Sequence, residues 1–133
     1  IANRICDGQV ILIDYGDTAE ELYARHRHLG TLMCYRKHQA SDNPLIYQGE
    51  QDITAHVNFT ACIRAGRNAG FSEHKLTTQR EFLVNQGILH KLQDNYDPNP
   101  FSEAAKRNRS IRQLLVSDQM SELFKVLILT KKR

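Results

Sequence analysis

The chain has 133 residues, room for one domain of ordinary size, and its 41% hydrophobic and 25% charged content fits a globular protein. No apolar stretch approaches the roughly 20 residues of a bilayer-crossing helix, so neither a helical membrane span nor a secretory signal is expected. The net charge of +3 is too mild to mark a nucleic-acid binder, and the cluster Lys106, Arg107, Arg109, Arg112 and the end Lys131-Lys132-Arg133 read as a solvated helix face and a basic terminus.

Cys6-Asp7-Gly8 predicts a turn and Gln9–Asp14 a strand, broken by Gly16-Asp17. Its run Val10-Ile11-Leu12-Ile13 suits burial on both faces. Thr18 is placed to cap a short helix over residues 19–23. Residues 24–50 show no sustained period and carry the turn formers Gly30, Asn43-Pro44 and Gly49. They predict a long irregular excursion with one extended piece at Thr31–Tyr35, and loops of that length serve as lids or binding loops. Asp52 or Thr54 then caps an amphipathic helix reaching Asn68, with Ile53, Val57, Ala61 and Ala65 four apart, and Ala69-Gly70 ends it. Phe71–Thr77 reads as a strand, and Thr78 caps a helix over Gln79–Asn85 whose Phe82 and Leu83 face inward. Gly87 interrupts before a second helical piece at Ile88, Leu89 and Leu92. Asp94–Pro100 is a loop, with Asn99 and Pro100 as cap and first residue of a helix from Phe101 to about Leu115. That helix is expected to bury Ala104, Ala105, Ile111, Leu114 and Leu115. Phe124–Thr130 closes the chain as a strand.

Alternating elements of this kind indicate an α/β layered domain. Three strands make only part of a comfortable sheet, and Val10–Ile13 expects neighbours on both sides. Together with a first residue, Ile1, that is not Met, this suggests an excised piece whose partner strands lie upstream. The three cysteines, Cys6, Cys34 and Cys62, are odd in number, widely spaced and without a C-x-x-C pair, which favours a reducing, cytosol-like compartment over disulfides or a zinc knuckle.

Asp14 follows the apolar strand and so sits at its carboxyl end, where open α/β sheets bind ligands; the same residue also suits a turn held by backbone amides. Asp52, Thr54 and His56 form a second constellation, for which helix capping explains one residue. His26, His28 and His38 match no metal-ligand spacing, so no metal is expected. Cys34, beside Tyr35 and Arg36, has no defined histidine partner to activate it. There is no G-x-G-x-x-G, no P-loop and no G-x-S-x-G elbow.

The ordered set Val10–Gly16, Gly30-Thr31-Leu32, Tyr35, His38, Pro44-Leu45 and Gly49-x-Gln51-Asp52-Ile53-Thr54-Ala55-His56-Val57-Asn58-Phe59 resembles the MidA-type family of S-adenosylmethionine-dependent methyltransferases. Thr78-Gln79, Phe82-Leu83, Gly87-Ile88 and Met120–Leu127 agree with it, so the likeness spans nearly the whole chain. Ser121 stands where the family usually has glycine. The resemblance implies the C-terminal half of a Rossmann-like class I methyltransferase sheet, with the last strand antiparallel between the two before it. Residues 1–133 would form the C-terminal portion of the domain, with a buried strand and acidic turn at 1–16. A substrate-side loop would follow at 17–51, and a helix-strand-helix-strand unit at 52–133.

It further implies an enzyme that uses S-adenosylmethionine to methylate a protein, on arginine, as do relatives tied to assembly of mitochondrial respiratory complex I. Cofactor-binding residues would lie upstream, and the fragment alone would be inactive. The setting would be the cytoplasm for a sequence of bacterial type, and the mitochondrial matrix for eukaryotic relatives. Asp14, Asp52 and His56 are the candidate catalytic residues, and Tyr15, Gly16, His38, Glu50 and Thr54 the candidate substrate-binding residues. The alternatives are a non-catalytic module docking a protein through residues 16–49, and an RNA methyltransferase using the basic helix around Arg107.

Overall fold

In the computed structural model, residues 2–94, 98–116 and 120–133 are described. The elements run β1 (Gly8–Asp17), α1 (Ala19–Leu22), β2 (Met33–Arg36), β3 (Gln39–Ser41), β4 (Asp52–Thr54), β5 (Val57–Asn58), α2 (Phe59–Asn68), β6 (Glu73–Thr78), α3 (Gln79–Asn85), α4 (Glu103–Val116), α5 (Met120–Leu123) and β7 (Phe124–Lys131), with short 3-10 turns at Ala2–Arg4, Arg25–Arg27 and Ile88–Lys91. A four-stranded sheet has the order β5-β1-β7-β6, and a separate three-stranded sheet the order β3-β2-β4.

The last strand is the middle of the main sheet. β7 runs antiparallel to both β1 and β6, pairing Val10 with Leu129 on one side and Leu76 with Leu127 on the other. The expected topology is therefore observed: a mixed α/β sheet closed by an antiparallel final strand. Because strand side chains alternate between faces, Val10, Leu76, Leu127 and Leu129 share one face. On that face α2 supplies Phe59, and Phe71 joins it, to form the main core. Val126 and Leu127 are both fully buried, so β7 is covered on both sides. α2 approaches the sheet at Gly66, where an added Cβ would lie 2.8 Å from a Leu129 methyl. A second cluster, Ile88, Ile111 and Leu115 with Leu83, joins α3, the 3-10 turn and α4.

Several expectations are corrected. β1 does not break at Gly16-Asp17 but runs on through Asp17, since Gly16 and Asp17 pair in parallel with Val57 and Asn58 of β5. The run Val10–Ile13 is not buried on both faces: Ile11 and Ile13 are about half exposed, at 49% and 51%, because the β1 edge from Gly8 to Tyr15 has no partner strand among the described residues. Residues 24–50 are mostly irregular, as expected, with the extended piece at Met33–Arg36, but they also hold an unforeseen second strand. β2 and β3 form a hairpin whose two-residue turn, Lys37-His38, has φ of 49° and 65°, the left-handed pair of a type I′ turn. Neither residue is glycine or asparagine, which hid the turn in the sequence.

Asp52 and Thr54 cap no helix, for Asp52–Thr54 is β4, paired with β2. The cap is Asn58, whose side chain accepts from Ala61 N at 3.0 Å, so the helix starts at Phe59 and Ile53 and Val57 fall outside its stripe. The α4 helix begins at Glu103 rather than Phe101, with Ser102 Oγ accepting from Ala105 N, and Leu114 is exposed rather than buried. Asn95–Asp97 of the expected loop and the side chain of Ser121 lie outside the described residues. The caps Thr18 and Thr78 and the glycine stop at Gly70 stand as expected. Among the described residues no helix is long and apolar enough to cross a membrane.

Candidate functional site

A cleft of about 300 Å³ opens where β1 ends, lined by Tyr15, Thr31, Met33, Tyr35, Thr54, His56, Leu123 and Phe124. Three elements meet to build it. Tyr15 and Phe124 are register partners on β1 and β7, and their rings meet edge to face at 5.9 Å. His56 stands on the two-residue link between β4 and β5, and its ring meets Tyr15 edge to face at 5.8 Å. The small sheet supplies the remaining wall. Thr54 Oγ1 donates to Met33 O at 3.0 Å, and His56 N donates to Thr31 Oγ1 at 3.1 Å, so two hydroxyls pin the β4–β5 link against the strand that carries Tyr35.

Gly16 makes this convergence possible. A Cβ at Gly16 would overlap the Val57 carbonyl oxygen and lie 2.7 Å from Val57 N. Only glycine lets β5 run this close to the end of β1, and that approach brings His56 beside Tyr15.

His56 is held below its ordinary pKa, first by burial and then by the Arg27 guanidinium, with Asp17 pulling in the opposite direction. Its imidazole is therefore neutral at neutral pH and able to accept a proton. Asp17 is itself engaged: Oδ1 accepts from Thr18 N at 2.9 Å, and Oδ2 lies 3.9 Å from Lys125 Nζ. A larger cavity of about 730 Å³ adjoins the cleft, sharing Thr31 and His56, and Arg25, Arg27 and His28 line it. Arg27 Nε is buried with no hydrogen-bond partner.

Of the sequence candidates, the structure brings together Tyr15, Thr54 and His56 in the cleft and sets Gly16 behind them. Asp14 is exposed, and its Oδ1 accepts from Tyr15 N at 2.8 Å. Strand alternation turns it to the opposite face from Tyr15, opposite Lys125 in register. Asp52 is exposed on β4, across from Tyr35. His38 sits in the hairpin turn, exposed. Glu50 pairs with Arg36 at 2.7 Å, while the same guanidinium stacks 4.1 Å over Tyr47. Arg27, Asp17, Met33 and Phe124 were not marked as site residues. Met33 and Phe124 join the site through strand pairing, which no local pattern displays. Among the described residues no group of three His, Cys, Asp or Glu is placed to hold a metal ion, and Cys6, Cys34 and Cys62 are unpaired.

Residues 1–77 match the model of a family described as "Putative S-adenosyl-L-methionine-dependent methyltransferase". Two solved structures from Burkholderia thailandensis share the fold. One, an uncharacterised protein, is 39% identical with a TM-score of 0.83, over 94% of this chain and 33% of its own. The other, of the same superfamily and described as a "likely methyl transferase" bound to S-adenosyl-homocysteine, is 40% identical with a TM-score of 0.82, over 93% of this chain and 32% of its own. The chain thus spans about a third of the length of each. No curated protein matches it.

Proposed function

Since the chain belongs to the S-adenosyl-L-methionine-dependent methyltransferase family that its first 77 residues match, we propose that it forms the acceptor-side part of such an enzyme, one that methylates a protein on arginine. One observation carries the reading. The aromatic cleft of Tyr15, His56 and Phe124 lies at the carboxyl end of β1, the end at which open α/β sheets receive ligands. The relative crystallised with S-adenosyl-homocysteine supports it.

The cleft's chemistry suits the acceptor better than the cofactor's nucleoside. Two phenols, a phenyl ring and a thioether offer flat, polarisable faces to a planar cation such as a guanidinium. The described residues offer no strand–glycine turn–helix to hold adenosine. We assign that task to the two-thirds of the relatives' length that this chain does not cover, and the unpaired β1 edge is the seam to that part. The cofactor supplies an electrophilic methyl group on sulfonium.

The chain's own residues do the rest. Tyr15, Tyr35 and Phe124 position the acceptor and exclude water. His56, neutral, takes up the proton that the acceptor nitrogen sheds as its lone pair becomes an N–C bond. Asp52, beside Tyr35 in register, is the carboxylate nearer the cleft for gripping a guanidinium, whereas Asp14 faces away from Tyr15 and would act only through the strand end it holds. Gly16 and Thr54 shape the walls, while Glu50, through Arg36, and His38, in the hairpin turn, would act only on the small sheet that carries Tyr35. The free thiols fit a reducing, cytoplasmic setting.

The test uses the complete enzyme that contains this chain. S-adenosyl-homocysteine is expected to raise its melting temperature, and radiolabelled methyl is expected to pass to arginine peptides. His56→Gln is expected to lower the transfer rate by ~10²–10⁴-fold, the range of general-base catalysis. No stabilisation by S-adenosyl-homocysteine would remove the methyltransferase reading. An unchanged rate in a folded Asp14→Asn variant would remove Asp14 from it.

A further inference from the structure

The groove next to the aromatic cleft has a charge pattern that methyl transfer to arginine does not require. Two guanidinium groups, Arg25 and Arg27, and two imidazoles, His28 and His56, line it, and no carboxylate lies among its described lining. Arg27 forms no ion pair among the described residues, and its Nε is buried without an acceptor. Asp17, the acid that acts on His56, is held by Thr18 N and Lys125 and does not line the groove. The Arg27 side chain lines the groove with no anionic partner among the described residues, and its buried Nε–H adds an uncompensated donor behind that face. The partner that matches a planar fork of N–H donors is a carboxylate.

We propose that this groove binds a carboxylate of the acceptor protein, an Asp or Glu within a few residues of the methylated side chain, and so selects arginines with an acidic neighbour. The inference rests on the acceptor-side reading above. Two features of the geometry support it. The groove and the cleft share Thr31 and His56, so a peptide with its target in one lies across the other. The shared wall is also tied together at that point, since His56 N donates to the Thr31 hydroxyl. The acceptor is a cation, and its neighbour's negative charge keeps a peptide from being repelled by the basic groove. A carboxylate could come instead from the amino-acid end of the cofactor, and the experiment separates the two sources.

The probe is a set of fluorescein-labelled arginine peptides with glutamate walked from four residues before the arginine to four after it, each paired with its glutamine version. Binding to the complete enzyme is read by anisotropy, which does not depend on turnover. At one or two positions the glutamate peptide is expected to bind at least tenfold more tightly. Arg27→Gln is expected to bring that ratio close to one. Arg25→Gln, on the exposed rim and so unable to disturb the core, is expected to lower it two- to threefold. Equal binding of glutamate and glutamine peptides at every position overturns the proposal. So does a tenfold loss of S-adenosyl-homocysteine affinity in Arg27→Gln with the peptide preference intact, which would give the groove to the cofactor's carboxylate. Failure of S-adenosyl-homocysteine to stabilise the enzyme, with the glutamate preference present, would fault the methyltransferase reading and leave the groove assigned.

Discussion

Gly16 and His56 set the properties of the site between them. A methyl group on Gly16 meets the backbone of Val57, which cannot swing aside as a side chain can. Gly16→Ala is expected to destabilise the fold by about 3 kcal/mol, the upper range for overpacking, measured by urea unfolding. It is also expected to separate His56 from Tyr15, seen as a shifted His56 ring resonance. His56 brings a pH dependence of its own. Its folded pKa lies below the ordinary 6.5 because of burial and Arg27. The unfolded chain therefore binds this proton more readily than the folded one. The associated stability is complete above pH 6.5 and declines as the pH falls below it toward the folded value. Unfolding midpoints taken from pH 7.5 down to 5.5 are expected to fall, and His56→Gln to flatten that fall.

The elements show where local chemistry was readable and where it was not. Thr18, Thr78 and Gly70 act as the caps and stop that their residue types predict, because each works through its own few backbone neighbours. Glu73–Thr78 and Phe124–Lys131 form strands close to their expected limits. The segment 24–58 misled for a physical reason. Its sheet is small, its strands are two to four residues long, and its turn is built from Lys37 and His38 rather than Asn-Gly. The spacing of Ile53, Val57, Ala61 and Ala65 imitates a helix across a strand pair. Tertiary pairing with Met33–Tyr35 and Gly16-Asp17 overrode it. Of the site, Tyr15, Thr54 and His56 were legible as polar groups in a dense motif, whereas the part played by Arg27 depends on a fold-level contact. The turn makes a direct prediction. Both left-handed positions are occupied by residues that strain there, so the double variant Lys37→Asn, His38→Gly is expected to stabilise the chain by about 1 kcal/mol, read as a raised denaturation midpoint.

At the level of the whole molecule, β1 has a strand partner on one side only from Gly8 to Tyr15 among the described residues. Ile11, Leu12 and Ile13 stand 49%, 38% and 51% exposed beside a run of unpaired backbone groups. An exposed apolar edge pairs with another strand when one is offered. The 133-residue chain alone is expected to self-associate, visible in size-exclusion chromatography as a concentration-dependent shift. Ile11→Lys with Ile13→Lys is expected to return it to a single monomeric peak.

The antiparallel slot between β1 and β6 has a temporal meaning. These two strands do not pair with each other; both wait for β7, which the ribosome makes after the other described strands of the sheet. Until Phe124–Lys131 emerges, the nascent polypeptide carries a gap where its most buried strand belongs, and Tyr15 has no Phe124 to meet. Assembly of this layer therefore cannot be completed vectorially from the amino end. The aromatic cleft, one wall of which is Phe124, is therefore complete only once β7 has taken its place.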